Sequence, residues 1–457
     1  MVLFVLSEFS NITVFNNSHT TKPLFYKISG TWGNHEGSLL LWLLILTLSL
    51  FIYFLNSKSR PIKERLLTLI FQEVIIIGFL IFLLKTSNPF NQVFPIPKEG
   101  LGLNPILQDP ILAIHPPVLY LGYVSTSIIF SSSLASLVQG NVNNLWAKHI
   151  KKWIFASWIF LTIGILLGSI WAYYELGWGG FWFWDPVENI SLMPWLSLTA
   201  LLHCVLVLEK RSLLSSWTII LSISTFTLSV CGTFLVRSGI LNSVHTFAND
   251  PERGLFILIF LFFLFFLSLL IYFLLKKSLK ANNNKFNLFT KESSILINNW
   301  FIMYFLSVIL IGTIYPIFLE VLSDQKISVG PPFFNKLLIP FLIPFLIFMS
   351  IGPNLKWIKN KNFGNKIQLL IFFILNLTMS FFIFNMFGTI TLTSTILLAA
   401  SFYLFFLTFK DLIKKDYKNI SQAISHFGFS LLILSILMNS ILSKEIIANL
   451  KVGEEIK

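Results

Sequence analysis

Residues 255–275 read LFILIFLFFLFFLSLLIYFLL and contain no charged side chain. At about 1.5 Å of helix rise per residue, a run of this length crosses the roughly 30 Å hydrocarbon core of a bilayer. Similar apolar runs recur along the whole chain, which is 55% hydrophobic and 12% charged, with a mean hydropathy of +0.78. This composition excludes a water-soluble globular domain, so the membrane is the solvent for most of the chain.

The recurring apolar runs predict an all-α, polytopic transmembrane bundle with about 12 spans, or 13 if a short N-terminal run also crosses. The twelve runs lie near residues 39–56, 66–85, 117–138, 153–171, 192–208, 214–236, 255–275, 300–322, 337–352, 367–386, 388–408 and 422–442. A shorter apolar stretch at residues 1–15 lacks the features of a secretory signal and is either a thirteenth span or an interfacial segment. We therefore expect three regions: an outer N-terminal region, the bundle and an outer tail, at residues 1–38, 39–442 and 443–457.

Basic residues lie in alternate loops between these runs. Six loops hold 22 of the 33 Lys and Arg residues: 57–65, 139–152, 209–213, 276–299, 353–366 and 409–420. Because basic loops stay on the side from which helices insert, we expect them to face the cytoplasm or the matrix. The opposite, outer side then carries the loops near 16–38, 86–116, 172–191, 237–254 and 323–336. A nucleic-acid-binding protein would instead concentrate its charge on one soluble face, so the formal charge of +13 does not indicate nucleic acid.

One outer loop is unusually aromatic. Residues 171–186 read WAYYELGWGGFWFWDP, with glycines that let the backbone approach a flat partner closely. An aromatic belt at the membrane interface is the alternative interpretation, but such belts are scattered over many helix ends. Large aromatic faces suit a planar macrocycle such as haem. The candidate platform residues are Trp171, Trp178, Trp182, Trp184 and Asp185.

Four of the seven histidines are placed where they could bind haem iron. His115 and His245 belong to the outer side, and neutral imidazole is a common axial ligand. Arg237 lies near His245 in sequence and could pair with a propionate carboxylate. His203 and His426 fall inside predicted spans at overlapping depths, where they either sandwich a haem or bond to neighbouring helices.

The other three histidines carry less information. His19 and His35 belong to the outer N-terminal region, and His149 belongs to a basic loop. We interpret each of them as a solvated or capping residue rather than a ligand.

The segment 171–195 resembles the tryptophan-rich "WWD" signature of the haem-handling proteins of cytochrome c biogenesis. Within that superfamily the chain is most similar to the CcmF family, the haem lyase subunits of the system I maturation pathway. Three further stretches carry the resemblance: TWGNHEGS at 31–38, NPILQDP at 104–110 and GTFLVRSG at 232–239. It extends from about residue 30 to residue 440.

The resemblance implies specific ligands. In similar proteins the histidines matching His115 and His245 are axial ligands of a transient haem at the WWD segment. Those matching His203 and His426 are axial ligands of a membrane-embedded haem b, so that all four bind haem iron. No residue is assigned as acid–base or nucleophilic catalyst, and Asp185 is expected to fix the platform loop by capping.

The resemblance also implies an activity and partners. Such a protein is a subunit of a cytochrome c haem lyase (synthetase) complex. It receives haem from a CcmE-type carrier chaperone, and it positions and reduces the haem for thioether attachment to the CxxCH motif of apocytochrome c. A thiol-reducing, CcmH-type subunit is a further expected partner. Bacterial relatives continue beyond the position of Lys457, so we expect a separate chain to supply that part.

Two other classes of membrane protein are alternatives, and the sequence allows two cellular compartments. A CcmC-type haem-transfer protein shares the Trp-rich loop and two outer histidines, but it is shorter and lacks the buried pair. A polytopic transporter is also conceivable, although no pair of Gly- or Pro-broken spans marks two matching halves. The abundance of Phe, at 49 residues, indicates AT-rich coding. We expect the mitochondrial inner membrane, with functional loops facing the intermembrane space; the alternative is a bacterial inner membrane with periplasmic loops.

Overall fold

The computed structural model describes residues 1–176, 180, 182–238, 251–279, 287, 289–323, 327–358, 366–387, 391–413 and 420–442. These residues form α-helices and three short 3-10 helices, with no strand among them. The α-helices are α1 Val2–Leu6, α2 Ile12–Asn17, α3 Leu24–Gly30, α4 His35–Asn56, α5 Ile62–Thr86, α6 Pro110–Val138, α7 Asn144–Glu175, α8 Pro186–Arg211, α9 Ser215–Arg237, α10 Pro251–Leu275, α11 Lys291–Ser323, α12 Pro331–Ile351, α13 Lys366–Phe387, α14 Leu392–Ile413 and α15 Ile420–Leu442.

Twelve of the described helices, α4 to α15, are long and apolar enough to cross a membrane. This confirms the all-α polytopic prediction and its count of 12. The apolar N-terminal stretch is no thirteenth span, because α1 and α2 have only 5 and 6 residues. Helix α7 begins at Asn144, so His149 belongs to a helix and not to the predicted loop.

The N-terminal residues fold onto the segment between α5 and α6. Phe4, Phe9 and Val14 form a small buried cluster. The backbone N–H of Val93 donates to the Ser10 carbonyl at 2.9 Å, and that of Leu101 donates to the Phe15 carbonyl at 2.8 Å. These bonds satisfy backbone N–H groups of the segment between α5 and α6 that belong to no regular helix, so the N-terminal region is a folded cap on that segment.

Acidification is expected to loosen this cap at one point. The Thr20 hydroxyl, together with the backbone N–H groups of Thr20 and Gly100, donates to Glu99 and lowers the pKa of this carboxyl to about 2. The folded pKa lies below the unfolded value, so the stabilisation is complete above about pH 4.5 and is lost as the pH falls toward 2. Hydrogen exchange should show the amides of Thr20 and Gly100 losing protection over that range. In Glu99→Gln their protection should be lower and should not respond to pH over this range.

The chain divides into two compact units: residues 1–284 with 302–334, and residues 285–301 with 335–457. In the first unit, α6 is the central helix, because it contacts α4, α5, α7 and α9 and is buried on all sides from Gly122 to Leu137. Helix α7 approaches it closely: a Cβ at Gly122 would lie 2.4 Å from the Leu161 nitrogen. Small residues commonly permit such helix contacts in membranes.

In the first unit, side-chain contacts join helix ends that border the predicted outer loops. This grouping follows the alternation of the two sides that the basic loops predict. At one end, Tyr174 near the end of α7 donates to Asp109 before α6, and Arg253 near the start of α10 donates to the Thr86 carbonyl at the end of α5. Because α7 ends and α8 begins here, next to Trp182 and Trp184, we call it the Trp-rich end. The described helix ends that border the predicted outer loops of this unit therefore lie at the same end.

The opposite end of the first unit, which we call the basic end, holds a buried ion pair, and a buried amide lies farther along α5. Arg60 and Glu64 form an ion pair at 2.7 Å, and their side chains are 7% and 0% exposed. Gln72 donates to Ser127 at 2.8 Å and accepts from Ser131 at 3.0 Å. In a bilayer, a buried charge and a buried amide both require such partners.

In the second unit, α13, α14 and α15 pack against one another. The hydroxyls of Thr408 and Ser430 lie 2.9 Å apart, and the rings of Phe405 and Phe427 are 5.4 Å apart. Within α15, Ser430 is the one buried residue. Helix α15 therefore keeps most of its surface uncovered within this unit.

Candidate functional site

The start of α6 is fixed by three side-chain contacts. Asp109 caps the helix by accepting from the Leu112 N–H at 2.8 Å, and its second oxygen accepts from the Tyr174 hydroxyl at 2.6 Å. The indole N–H of Trp32 donates to the Ala113 carbonyl at 2.9 Å. The motif at 104–110 thus ties the start of α6 to α7, two turns before His115.

His115 lies in a notch on α7 made by two glycines. Its Nδ1 is 2.8 Å from the carbonyl oxygen of Gly164. A Cβ at Gly168 would lie 2.7 Å from His115 Cε1, so the ring occupies the space that a side chain would fill. A carbonyl can only accept, so Nδ1 carries the proton and Nε2 carries the lone pair. Neutral imidazole in this tautomer is a competent ligand for a metal through Nε2.

The described part of the Trp-rich segment presents two tryptophans. Trp184 stacks on Phe334, with ring centroids 4.5 Å apart and an interplanar angle of 15°. Trp182 meets Trp184 edge-on at 6.2 Å. Trp171 instead lies within α7 and is 3% exposed, so it supports this end from inside. Trp178 and His245, like the predicted tail at 443–457, lie outside the described residues.

Asp185 begins α8 and confirms its predicted role as a cap. Its side chain accepts from the Val187 N–H at 3.0 Å, and Glu188 accepts in return from the Asp185 N–H at 3.1 Å. Glu188 also accepts from the Phe183 N–H at 2.9 Å. Trp184, between these residues, has a positive φ of 58°. The capping box therefore holds the tryptophan in a backbone conformation that bulky residues rarely adopt.

Arg237 is buried at the Trp-rich end, with 3% of its surface exposed. Its Nη2 donates to the Ser38 hydroxyl at 2.9 Å and to the Tyr120 hydroxyl at 3.4 Å, and its Nη1 donates to the His35 carbonyl at 3.4 Å. These bonds join the end of α9 to α4 and α6. The predicted propionate partner is thus also a junction between three helices.

A second arginine reaches the same turn of α4. Arg253 Nη2 lies 2.9 Å from Glu36 Oε1. Arg237 and Arg253 flank the segment 239–250, which contains His245, and both bind the first turn of α4. Sequence reasoning missed this role of His35, Glu36 and Ser38, although the motif at 31–38 was the signal that could have found it.

The buried histidines lie in separate units. His203 is half-buried on α8, and its Nδ1 is 2.8 Å from the Thr199 carbonyl oxygen, which again assigns the lone pair to Nε2. His426 is half-buried near the start of α15 in the second unit. His149 is half-buried on α7, with its ring 5.7 Å from that of Tyr53.

The donor chemistry of these residues fits haem better than a bare metal ion. Within the described ranges, no group of three or more His, Cys, Asp or Glu side chains could hold such an ion. Haem brings its own four in-plane nitrogens and needs only axial ligands from the protein. His115 and His203 each direct a protonated Nδ1 to a backbone carbonyl, an arrangement common in metal-binding histidines.

Comparison with known proteins agrees with this chemistry. A family model described as cytochrome C assembly protein matches residues 32–241. The cytochrome c-type biogenesis protein ccl1 of Rhodobacter capsulatus is 48% identical over 365 residues, which is 80% of this chain and 56% of that protein. The cytochrome c-type biogenesis protein CcmF of Escherichia coli is 43% identical over 395 residues, 86% of this chain and 61% of that protein.

A solved structure, described as cytochrome c heme lyase CcmF, matches with a TM-score of 0.76 at 25% identity. The match covers 96% of this chain and 67% of that chain. The chain thus spans between half and two thirds of the length of the two relatives named above.

Proposed function

We propose, from its similarity to the cytochrome c assembly proteins, that this chain belongs to that family and binds haem as a subunit of a cytochrome c haem lyase. The observation that carries the proposal is the shared arrangement of His115 and His203. Each imidazole donates Nδ1–H to a backbone carbonyl at 2.8 Å. Such a bond orients the ring, raises its basicity and presents Nε2 to the iron.

We assign His115 to an outer haem, together with His245. The ring of His115 lies near the start of α6, at the same end as Trp182 and Trp184. Trp184 is half-buried, with one face covered by the fully buried Phe334, so its other face is the flat aromatic surface that remains for a ligand. Aromatic faces of this size favour offset stacking with a planar ligand. Trp178 completes the proposed platform, with Trp171 supporting it from within α7.

We assign His203 and His426 to a second, membrane-embedded haem b. Both are half-buried on helices that can cross a membrane, where a polar side chain is costly unless it is bonded or serves a function. Ligation by two neutral imidazoles, one on α8 and one on α15, would hold the group without placing a charge on either ring.

When bound, haem supplies the vinyl groups and the redox-active iron, and the protein supplies ligation and orientation. In thioether formation a cysteine thiol adds across a vinyl group: a carbon–sulfur bond forms and the thiol hydrogen passes to the other vinyl carbon. No side chain of this protein needs to act as nucleophile. The imidazoles and the aromatic platform contribute by holding one edge of the macrocycle against the CxxCH peptide.

The proposed partners follow from this role. A CcmE-type chaperone delivers haem, apocytochrome c receives it, and a CcmH-type subunit keeps the cysteines reduced. We place the protein in the mitochondrial inner membrane, with the Trp-rich end facing the intermembrane space. In a bacterium the same end would face the periplasm.

Absorbance spectra of the purified chain test the proposal. The wild type should show a b-type haem signal, and His203→Ala and His426→Ala should each lose most of it, because one imidazole alone ligates weakly. His149→Ala is the matched control, since it removes another half-buried histidine from a membrane helix and should retain the signal.

Two outcomes would contradict the proposal. A wild-type chain without haem would remove the haem lyase assignment. A signal that persists in both alanine variants and disappears in His115→Ala would indicate a single outer haem and a haem-transfer role.

A further inference from the structure

Helices α7 and α8 carry the same short pattern at the point where they face each other. Trp158 is followed four positions later by Thr162 on α7, and Trp195 is followed four positions later by Thr199 on α8. The two indole rings stack, with centroids 6.0 Å apart and an interplanar angle of 28°. Residues four apart lie on one face of a helix, so each helix presents a Trp–Thr pair to the other.

The four side chains exchange hydrogen bonds reciprocally. Trp158 Nε1 donates to Thr199 Oγ1 at 3.0 Å, and Trp195 Nε1 donates to Thr162 Oγ1 at 2.8 Å. Each threonine hydroxyl then donates to the carbonyl of the tryptophan on its own helix, at 2.7 Å in both cases. Both indoles and both hydroxyls are therefore satisfied. We call these four residues the Trp–Thr clasp.

One member of the clasp also contacts a proposed haem ligand. The carbonyl of Thr199 accepts from His203 Nδ1 at 2.8 Å. Thr199 and His203 lie one turn apart on α8, so this bond is made within the helix. The Thr199 hydroxyl accepts from Trp158 of α7 and donates to the Trp195 carbonyl of its own helix. The clasp therefore fixes, relative to α7, the turn of α8 from which the imidazole projects.

We propose that the Trp–Thr clasp is a positioning site for His203, holding the imidazole in the orientation and tautomer in which Nε2 ligates haem. This inference rests on the proposed function. The clasp residues act through Thr199 and do not themselves need to touch the macrocycle. Partners of this kind typically change metal affinity by about 10–100-fold when they are removed.

The alternative is a purely structural role, in which the clasp only joins α7 to α8. Such a role predicts lower stability with an unchanged ligand geometry in the protein that remains folded. A positioning role predicts altered ligand geometry as well. The test therefore requires a spectroscopic readout of the imidazole–iron bond in addition to a stability measurement.

Thr199→Val is the principal variant, because it removes the hydroxyl and keeps both the shape of the side chain and the carbonyl. Trp158→Phe removes the indole donor and keeps an aromatic ring. Thr199→Ser retains the hydroxyl and should rescue. Thr227→Val on α9 is the matched control, since the Thr227 hydroxyl is buried and donates only to carbonyls of its own helix.

The measurements are haem dissociation and electron paramagnetic resonance of the ferric, low-spin form, each on protein folded in detergent. We expect Thr199→Val and Trp158→Phe to shift the resonance and to release haem about 10-fold faster. Thr199→Ser and Thr227→Val should match the wild type. Ultraviolet resonance Raman of the indole N–H groups, recorded without haem, should report the lost bonds independently. If Thr199→Val does not fold, Trp158→Phe is compared with Thr199→Ser instead.

Failure of this inference differs from failure of the proposed function. If the wild type binds haem, His203→Ala loses it and the clasp variants keep the wild-type resonance, the clasp is structural only. If the wild type binds no haem, both proposals fall.

Discussion

Replacing Gly168 with alanine is expected to lower haem affinity at the Trp-rich end by at least about 10-fold, the effect typical of losing a partner that orients a ligand. A Cβ at this position would lie 2.7 Å from Cε1, 3.2 Å from Nδ1 and 3.3 Å from Nε2 of His115. The imidazole is the movable partner in this clash, so it must rotate away. It then loses its bond to the Gly164 carbonyl and the orientation of Nε2.

The measurement is haem titration in a His203→Ala background, so that only the outer site contributes to the spectrum. Ser169→Ala is the control, because the Ser169 hydroxyl donates within its own helix to the Ile165 carbonyl and does not contact the notch. An unchanged affinity in Gly168→Ala would show that His115 does not ligate haem from this notch, and the outer assignment would have to be withdrawn.

Substitution of Arg237 by glutamine is expected to destabilise the protein by about 3 kcal/mol even without haem, the upper range for hydrogen bonds to a charged group. The guanidinium is buried and bonds to Ser38, Tyr120 and the His35 carbonyl. A glutamine amide cannot reach three partners in different directions, so buried hydroxyls of α4 and α6 would lose a donor.

Thermal or detergent-induced unfolding of the haem-free protein measures this effect. Lys210→Gln is the charge-matched control, because Lys210 is exposed at the end of α8. Equal stability of Arg237→Gln and wild type, combined with weaker haem binding, would reverse the interpretation: Arg237 would then act on a haem propionate and not as a helix junction.

Much of the architecture could be predicted because one requirement dominates folding in a membrane: each spanning segment must be apolar and must satisfy its own backbone hydrogen bonds. A helix such as α10 must carry about 20 apolar residues and satisfy its own backbone, so composition alone reveals it. The residues at which helices begin and end were less predictable. Helix α7 runs on to Glu175, and α8 begins at Pro186, because Asp185 and Glu188 form a capping box that hydropathy does not register.

The features of the candidate site also divide into those that the sequence predicts and those that it does not. The aromatic run and the histidines were evident as residue types, and Asp185 was expected to cap. The second role of Arg237 was not evident, because its partners on α4 lie about two hundred residues away in the chain. The fit of His115 against Gly168 was equally hidden, since only the crossing of α6 and α7 brings them together.

The sequence by itself determined that the described part of this protein holds twelve helices able to cross a membrane, how basic and non-basic loops alternate, and which residue types are candidates for haem binding, because these depend on local composition and on chemical type. The tertiary structure alone decided which nitrogen of His115 carries the proton, since that depends on the Gly164 carbonyl of another helix at 2.8 Å. It also decided that two Trp–Thr pairs on neighbouring helices bond reciprocally. Hydrogen bonds are short-ranged and directional, so their partners emerge only when the helices have packed.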